Sequence, residues 1–206
     1  MSHMVSCRCG ALRGVLNQPD AVNRCVCYCK DCQAFAHFLA QADVVLDTAG
    51  GTEVIQTTPA NVTITQGQSK LACIRLRDKG LLRWYTSCCN TPIGNTLPNY
   101  QFAFVGLIHC CLDGGGESLD SSFGPIRMWV NTQSAKTPVP ATPMATFTGI
   151  LRVMSMVIRD RLTGRYQSTP FFSPVTGVPV VKPVVLSESE RQRVYAAVDG
   201  ASTTSG

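Results

Sequence analysis

The run Cys25-Val26-Cys27-Tyr28-Cys29-Lys30-Asp31-Cys32 places four thiols within eight residues. That is too dense for packing and too closely spaced for disulfides, which need Cα atoms roughly 4.4–6.8 Å apart with facing Cβ atoms. Metal ligation suits it better. Cys27-x-Cys29-x-x-Cys32 can bring three sulfurs to one ion, the first pair sharing one side of an extended segment. The second pair has the C-x₂-C spacing of a zinc knuckle, and three thiolates leave the fourth tetrahedral position open, as in a catalytic zinc site. A distant fourth ligand would instead close the site and make it structural. Cys27, Cys29 and Cys32 are therefore the candidate catalytic residues. Cys25 is an extra thiol that either substitutes for a ligand or stands by. His37 is a fourth ligand, a general base or a packed side chain.

Two further motifs join this one. Cys7-Arg8-Cys9-Gly10 reads as part of a strand over 5–12, so that both thiols share a face and Gly10 turns the chain. Adjacent Cys88 and Cys89 can bind one metal only if the backbone turns there, and Asn90 tolerates the left-handed conformation such a turn needs. Cys89, with Cys88, can complete the site begun by Cys7 and Cys9. Cys73 reads as a buried strand thiol, and Cys110-Cys111 as one packed and one partly exposed residue.

The positioning elements are mostly short strands. After leader-like residues 1–4, a short helix is expected at 33–40 and strands at 44–46, 53–56, 61–65, 71–77 and 81–85. The Gly-rich loop 113–117 lacks the helix and Lys of a phosphate cradle. A Pro-rich linker over 136–143 leads to an amphipathic helix capped at Thr142-Pro143 and ended by Gly164. Its apolar stripe of Met144, Phe147, Ile150, Leu151, Met154, Val157, Ile158 and Leu162 is expected to pack on its own domain, with membrane binding as the alternative. Residues 170–185 should wrap the core as an extended segment, and Ser187-Glu188-Ser189-Glu190 is a capping box opening a last helix. We expect a zinc-binding β domain over 5–136, a helical and extended extension over 137–199 packed on it, and a disordered tail over 200–206.

With 206 residues, 45% hydrophobic and 15% charged, the chain is expected to be globular. The formal charge of +5 forms no Lys/Arg run, so no nucleic-acid partner is expected. Eleven cysteines without a secretory leader favour metal-bound thiolates in a reducing compartment over a disulfide framework. With no stretch of about 18 apolar residues to span a membrane, a cytoplasmic location is expected. An oligomer is compatible with everything above.

In order, the C-x-C-G motif, the C-x-C-x-x-C cluster and the strand ending in Cys89-Asn90-Thr91-Pro92 resemble the glutathione-dependent formaldehyde-activating enzyme family, also called the centromere-protein-V domain family. The likeness runs from about residue 5 to 135 and includes later strands near 104–113 and 126–130. It implies a mainly β, tent-like fold of short antiparallel strands with two zinc ions. Cys7, Cys9 and Cys89 match structural-zinc ligands, and Cys27, Cys29 and Cys32 match catalytic ones. Thr86 stands at the position of a family cysteine and Asn90 at a glycine, so either Cys88 supplies the missing sulfur or the structural site is incomplete. The implied activity is that of a carbon–sulfur lyase acting on adducts of a small thiol such as glutathione with a small carbonyl such as formaldehyde. A non-catalytic zinc module and a thiol redox sensor are the alternatives.

Overall fold

The computed structural model describes residues 2–18, 21–112 and 118–200. The loop 113–117 and the tail beyond Gly200 lie outside the described residues. Ser2–Ser6 (β1) alternates exposed and inward side chains, burying His3 and Val5, so residues read as a leader begin a strand. It pairs antiparallel with Arg13–Asn17 (β2). Asn23–Cys27 (β3) runs into the helix Lys30–Phe38 (α1) and the helical turn Ala42–Val45 (α2). Five strands follow, Thr52–Thr57 (β4), Val62–Gln66 (β5), Leu71–Arg75 (β6), Leu82–Thr86 (β7) and Pro92–Thr96 (β8). Then come Val105–Ile108 (β9), the short helix Leu119–Phe123 (α3), Met128–Val130 (β10), the helix Pro143–Leu162 (α4), Val184–Val185 (β11) and the helix Glu188–Gly200 (α5).

The strands form a three-stranded sheet, β1-β2-β5, and an eight-stranded sheet, β10-β3-β4-β9-β8-β7-β6-β11. Every pairing is antiparallel except the two at the ends of the large sheet, β10 with β3 and β11 with β6. The fold is mainly β with a C-terminal helical extension.

One apolar cluster joins Val5, Leu12 and Leu16 around the small sheet to Ile55, Trp84 and Leu107 of the large one. Phe171 and Phe172 close over it, their rings 5.2 and 6.2 Å from that of Trp84. Of the 170–185 segment, Phe171, Phe172 and Val181 pack on the core, while Val175, Val178, Val180 and Val184 stay in solvent. A second cluster covers another part of the large sheet: Phe35 of α1 and Leu39, which caps its C-terminus, meet Ile74, Ile108 and Val194 and Val198 of α5.

Three local expectations differ from the structure. Residues 44–46 are not a strand. Val45 closes α2 and is buried, while Leu46 makes a lone bridge to Thr52 around a turn in which the Asp47 carboxylate accepts from the amides of Ala49 and Gly51. Turn hydrogen bonds and packing here override the β preference of valine. Next, α1 begins at Lys30 rather than Gln33 because the Cys29 sulfur caps it, accepting from the Cys32 amide. The third is α4. It packs through Gly149, Met156, Val157 and Asp160, and leaves most of the predicted apolar stripe in solvent. Gly149 is what permits that approach, since a Cβ there would lie 2.7 Å from Met128 Sδ. The capping box at α5 forms as read: the Ser187 amide donates to the Glu190 carboxylate at 2.9 Å, and the Glu190 amide to Ser187 Oγ at 3.3 Å. Ser187→Ala should therefore cost about 1 kcal/mol in a denaturant titration; an unchanged midpoint would show that the cap adds nothing.

No helix among the described residues is long and apolar enough to cross a membrane.

Candidate metal centres

The structure gathers Cys7, Cys9, Cys88 and Cys89 into one group whose sulfurs all lie within 4.8 Å of one another. The strand period does not do this. β1 ends at Ser6, and the chain then folds back so that the Gly10 amide reaches the Cys7 carbonyl, with Gly10 at φ 73°. On the opposing side, Thr86 and Thr91 clasp a turn in which Asn90 takes φ 54°, and this swings Cys88 and Cys89 to the same side. The sulfur of Cys88 lies 3.4 Å from that of Cys9 and 3.8 Å from those of Cys7 and Cys89, and Cys7 to Cys9 is 3.6 Å. A tetrahedral ion with metal–sulfur bonds of about 2.3 Å requires sulfurs about 3.8 Å apart. The group therefore fits a four-thiolate metal site. Cys88 joins it, and Thr86 does not replace a ligand.

Its surroundings favour thiolate at Cys89 and oppose it at Cys88, which burial and hydrogen bonds with the other thiols push up to about 12. The Leu12 amide donates to Cys7 Sγ at 3.2 Å. Burial raises the Cys89 thiol, but hydrogen bonds with the Thr86 and Thr91 hydroxyls outweigh it and set it at about 5.

Cys27, Cys29 and Cys32 make a second group, also with sulfurs within 4.8 Å of one another. Cys27 is the last residue of β3, Cys29 caps α1 and Cys32 lies in the first turn of that helix. The C-x-x-C spacing is thus a cap and its third helical residue. Cys32 is buried, while Cys27 and Cys29 are half-buried. Among the described residues no fourth ligand joins them. Cys25 points into an apolar cluster with Val54 and Met128, and burial pushes its thiol to about 12. His37 stands outside the group as well; burial and the nearby Lys136 hold its imidazole below the ordinary value.

The three thiols do not share charge evenly. Hydrogen bonds with Cys27 and Cys29 drive Cys32 well below the ordinary thiol range despite its burial, and the Arg83 guanidinium pulls the same way. Hydrogen bonds with Cys27 and Cys32, together with burial, push Cys29 far up. Without a metal the group therefore holds one negative charge readily and resists more. A bound divalent cation would displace the remaining protons, so its affinity must fall as pH falls.

Two supporting residues carry no sequence motif. Arg83 on β7 is buried, with Nη1 3.9 Å from Cys32 Sγ and 3.3 Å from Asn95 Oδ1, Nη2 3.8 Å from Asp31, and its guanidinium 5.5 Å from the Phe35 ring centre. Asn131, following β10 at φ 56°, donates to Cys27 Sγ at 3.3 Å. A lone Arg in an alternating strand and an Asn after one give no signal by type or spacing; only the sheet brings them to the cysteines.

The remaining thiols are placed as read. Cys73 and Cys111 are buried in the core, and half-buried Cys110 lies 3.4 Å from His109 Nε2. A cavity of about 270 Å³, lined by Cys7, Arg8, Gln41, Val45, Thr91 and Cys110 among others, opens beside the four-cysteine group.

No curated protein matches the chain. The crystal structure of a Rhodobacter sphaeroides protein, a structural-genomics target, is similar at 16% identity and a TM-score of 0.38, covering 62% of this chain and 99% of its own. A family model matches residues 1–183, a span that takes in both cysteine groups, Arg83 and Asn131. On that match the chain belongs to the family of unknown function DUF6151.

Proposed function

We propose that the chain is a zinc-dependent, carbon–sulfur lyase-like enzyme acting on adducts of a glutathione-type thiol with a small carbonyl such as formaldehyde. The carrying observation is the contrast between the two groups: four thiols at tetrahedral spacing in one, three without a described fourth ligand in the other. Four thiolates saturate a zinc ion and suit a structural role, whereas three leave a position for a reactant. The likeness of the cysteine motifs to the formaldehyde-activating family supplies the substrate class.

Zinc held by Cys27, Cys29 and Cys32 would supply a position at which an incoming thiol is held as thiolate. The protein's own residues prepare that position. Half-buried Cys27 and Cys29 leave it within reach of a small thiol, and buried Cys32 anchors it. Asn131 and the Cys32 amide each donate to one sulfur, fixing the ligand orientations. Three thiolates with a divalent ion carry a net charge of −1, which Arg83 offsets without becoming a ligand. Such a centre favours thiolate exchange over water activation. Eleven free thiols are consistent with a cytoplasmic, reducing setting.

Metal analysis of anaerobically purified protein tests this, beside NMR of formaldehyde and glutathione exchanging with their adduct. The expected result is two zinc ions and accelerated exchange in the wild type, against one zinc and no acceleration in Cys29→Ser. Two zincs with no acceleration would leave a metal-stabilised module and sink the enzyme reading.

A further inference from the structure

The helix α4 is apolar on two opposite sides. Its inward side rests on the large sheet near β10 and β3 through Gly149, Met156 and Val157. Its outward side presents Met144, Phe147, Leu151, Ile158 and Leu162, which are 74, 58, 53, 52 and 82% exposed, with Met154 half-buried among them. A helix apolar all round is normally covered, and a continuous exposed stripe of this length marks a contact surface. The positions 144, 147, 151, 154 and 158 alternate steps of three and four, the spacing of a coiled-coil seam.

We propose that this stripe is a dimer seam, covered by α4 of a second copy of this chain running antiparallel to it. Three features favour a second copy over other occupants. The stripe complements itself: end-to-end reversal about its middle sets Leu151 on Met154 and Phe147 on Ile158, with Met144 meeting the turn that holds Arg161 and Leu162, the closed two-fold arrangement of an isologous interface.

The borders of the stripe carry little charge. Thr148 and Ser155 lie on one side and Ile150 on the other, where Arg161 is the one charge and stacks over the Tyr166 ring at 4.8 Å. Antiparallel pairing sets the two copies of Arg161 at opposite ends, so they do not face each other. Both border hydroxyls are already satisfied within the helix, Thr148 donating to the carbonyls of Met144 and Ala145 and Ser155 to that of Arg152. They can lose water without losing hydrogen bonds. Arg152 and Arg159 sit one position farther round, where a dimer leaves them solvated.

Size is the third feature. The helix has 20 residues, about 30 Å at 1.5 Å per residue, and its paired faces approach the lower bound of specific interfaces, about 1,200 Å². A lipid surface is the weaker fit, because the side opposite the stripe rests on protein instead of forming the solvated polar face of an interfacial helix.

Sedimentation equilibrium of the full chain across the micromolar range tests the seam. The wild type should run at twice its 22.2 kDa mass. Leu151→Glu should weaken self-association by about a hundredfold, since it buries an unpaired charge, and Ile158→Glu should do the same. Both positions are more than half exposed in one copy, so helical circular dichroism and metal content should stay unchanged. Arg152→Glu, outside the seam, should leave the dimer intact. A wild type that stays at 22.2 kDa throughout, or glutamate variants that dimerise as well as the wild type, overturns the proposal. So does a monomeric wild type that floats with phosphatidylserine vesicles, which would give the stripe to a lipid surface.

Discussion

Cys88→Ser is expected to release one of two metal ions and to unfold the protein at temperatures at which the wild type is intact. The four-cysteine group ties the chain just after β1, in the small sheet, to the turn between β7 and β8, in the large one. Those two sheets share one apolar cluster, so whatever separates them exposes Cys7, Leu12, Leu16 and the residues packed over them. Structural zinc in small domains contributes about 10–16 kcal/mol at neutral pH, against about 5–15 kcal/mol for the net stability of a whole domain. Serine keeps the volume but not the soft thiolate, so most of that contribution should go. The readouts are metal stoichiometry and the thermal midpoint, with Cys110→Ser as a control that should keep both metals. A Cys88→Ser protein with two metals and a wild-type midpoint would mean that the group is four thiols meeting by chance. Lowering pH should act in the same direction as the substitution, because each thiolate in the site must take up a proton before the metal leaves.

Arg83→Met is the second large effect expected. Arg83 has 3% side-chain exposure and lies between Cys32, Asp31 and Asn95. Methionine fills similar volume without the charge. Asp31 retains Arg77 at 2.6 Å and Tyr195 at 2.5 Å, so the substitution does not strand a bare carboxylate. What is lost is the cation facing the thiolates. Removing groups that orient or balance metal ligands typically weakens affinity by about 10–100-fold. Competition with a chromophoric chelator should show one site weakened within that range and the four-cysteine site untouched. Arg83→Lys, which keeps the charge but not the fork, should fall between. Equal affinity in Arg83→Met would reduce the residue to a core filler stacked on Phe35.

The cysteine motifs were legible because ligands close in sequence need little help from the fold. In Cys27-x-Cys29-x-x-Cys32, a strand end, a helix cap and the first helical turn suffice. The capping box of α5 and the packing of Phe171 and Phe172 on the core were legible for the same reason, being local chemistry or plain hydrophobicity. Where the sequence misled, a local rule met a tertiary demand. Cysteine is not a usual cap, so local rules start α1 three residues late, at Gln33 rather than Lys30. The period of two put Cys7 and Cys9 on a strand face, yet a folded-back turn unites them. On α4, periodicity located the stripe but not the side that faces the domain, because that helix carries apolar residues on both.

The sequence by itself thus determined the candidate ligand types, their occurrence in three local motifs and the mainly β character of the chain, all properties of residues within a few positions of each other. Only the tertiary structure decided that Cys88 and Cys89 join Cys7 and Cys9, that Cys25 and His37 stand aside, and that Arg83 and Asn131 attend the three-thiol group. Those outcomes depend on strand register and turn direction between segments as many as 104 residues apart, and side-chain type carries no record of which distant neighbour the sheet will supply.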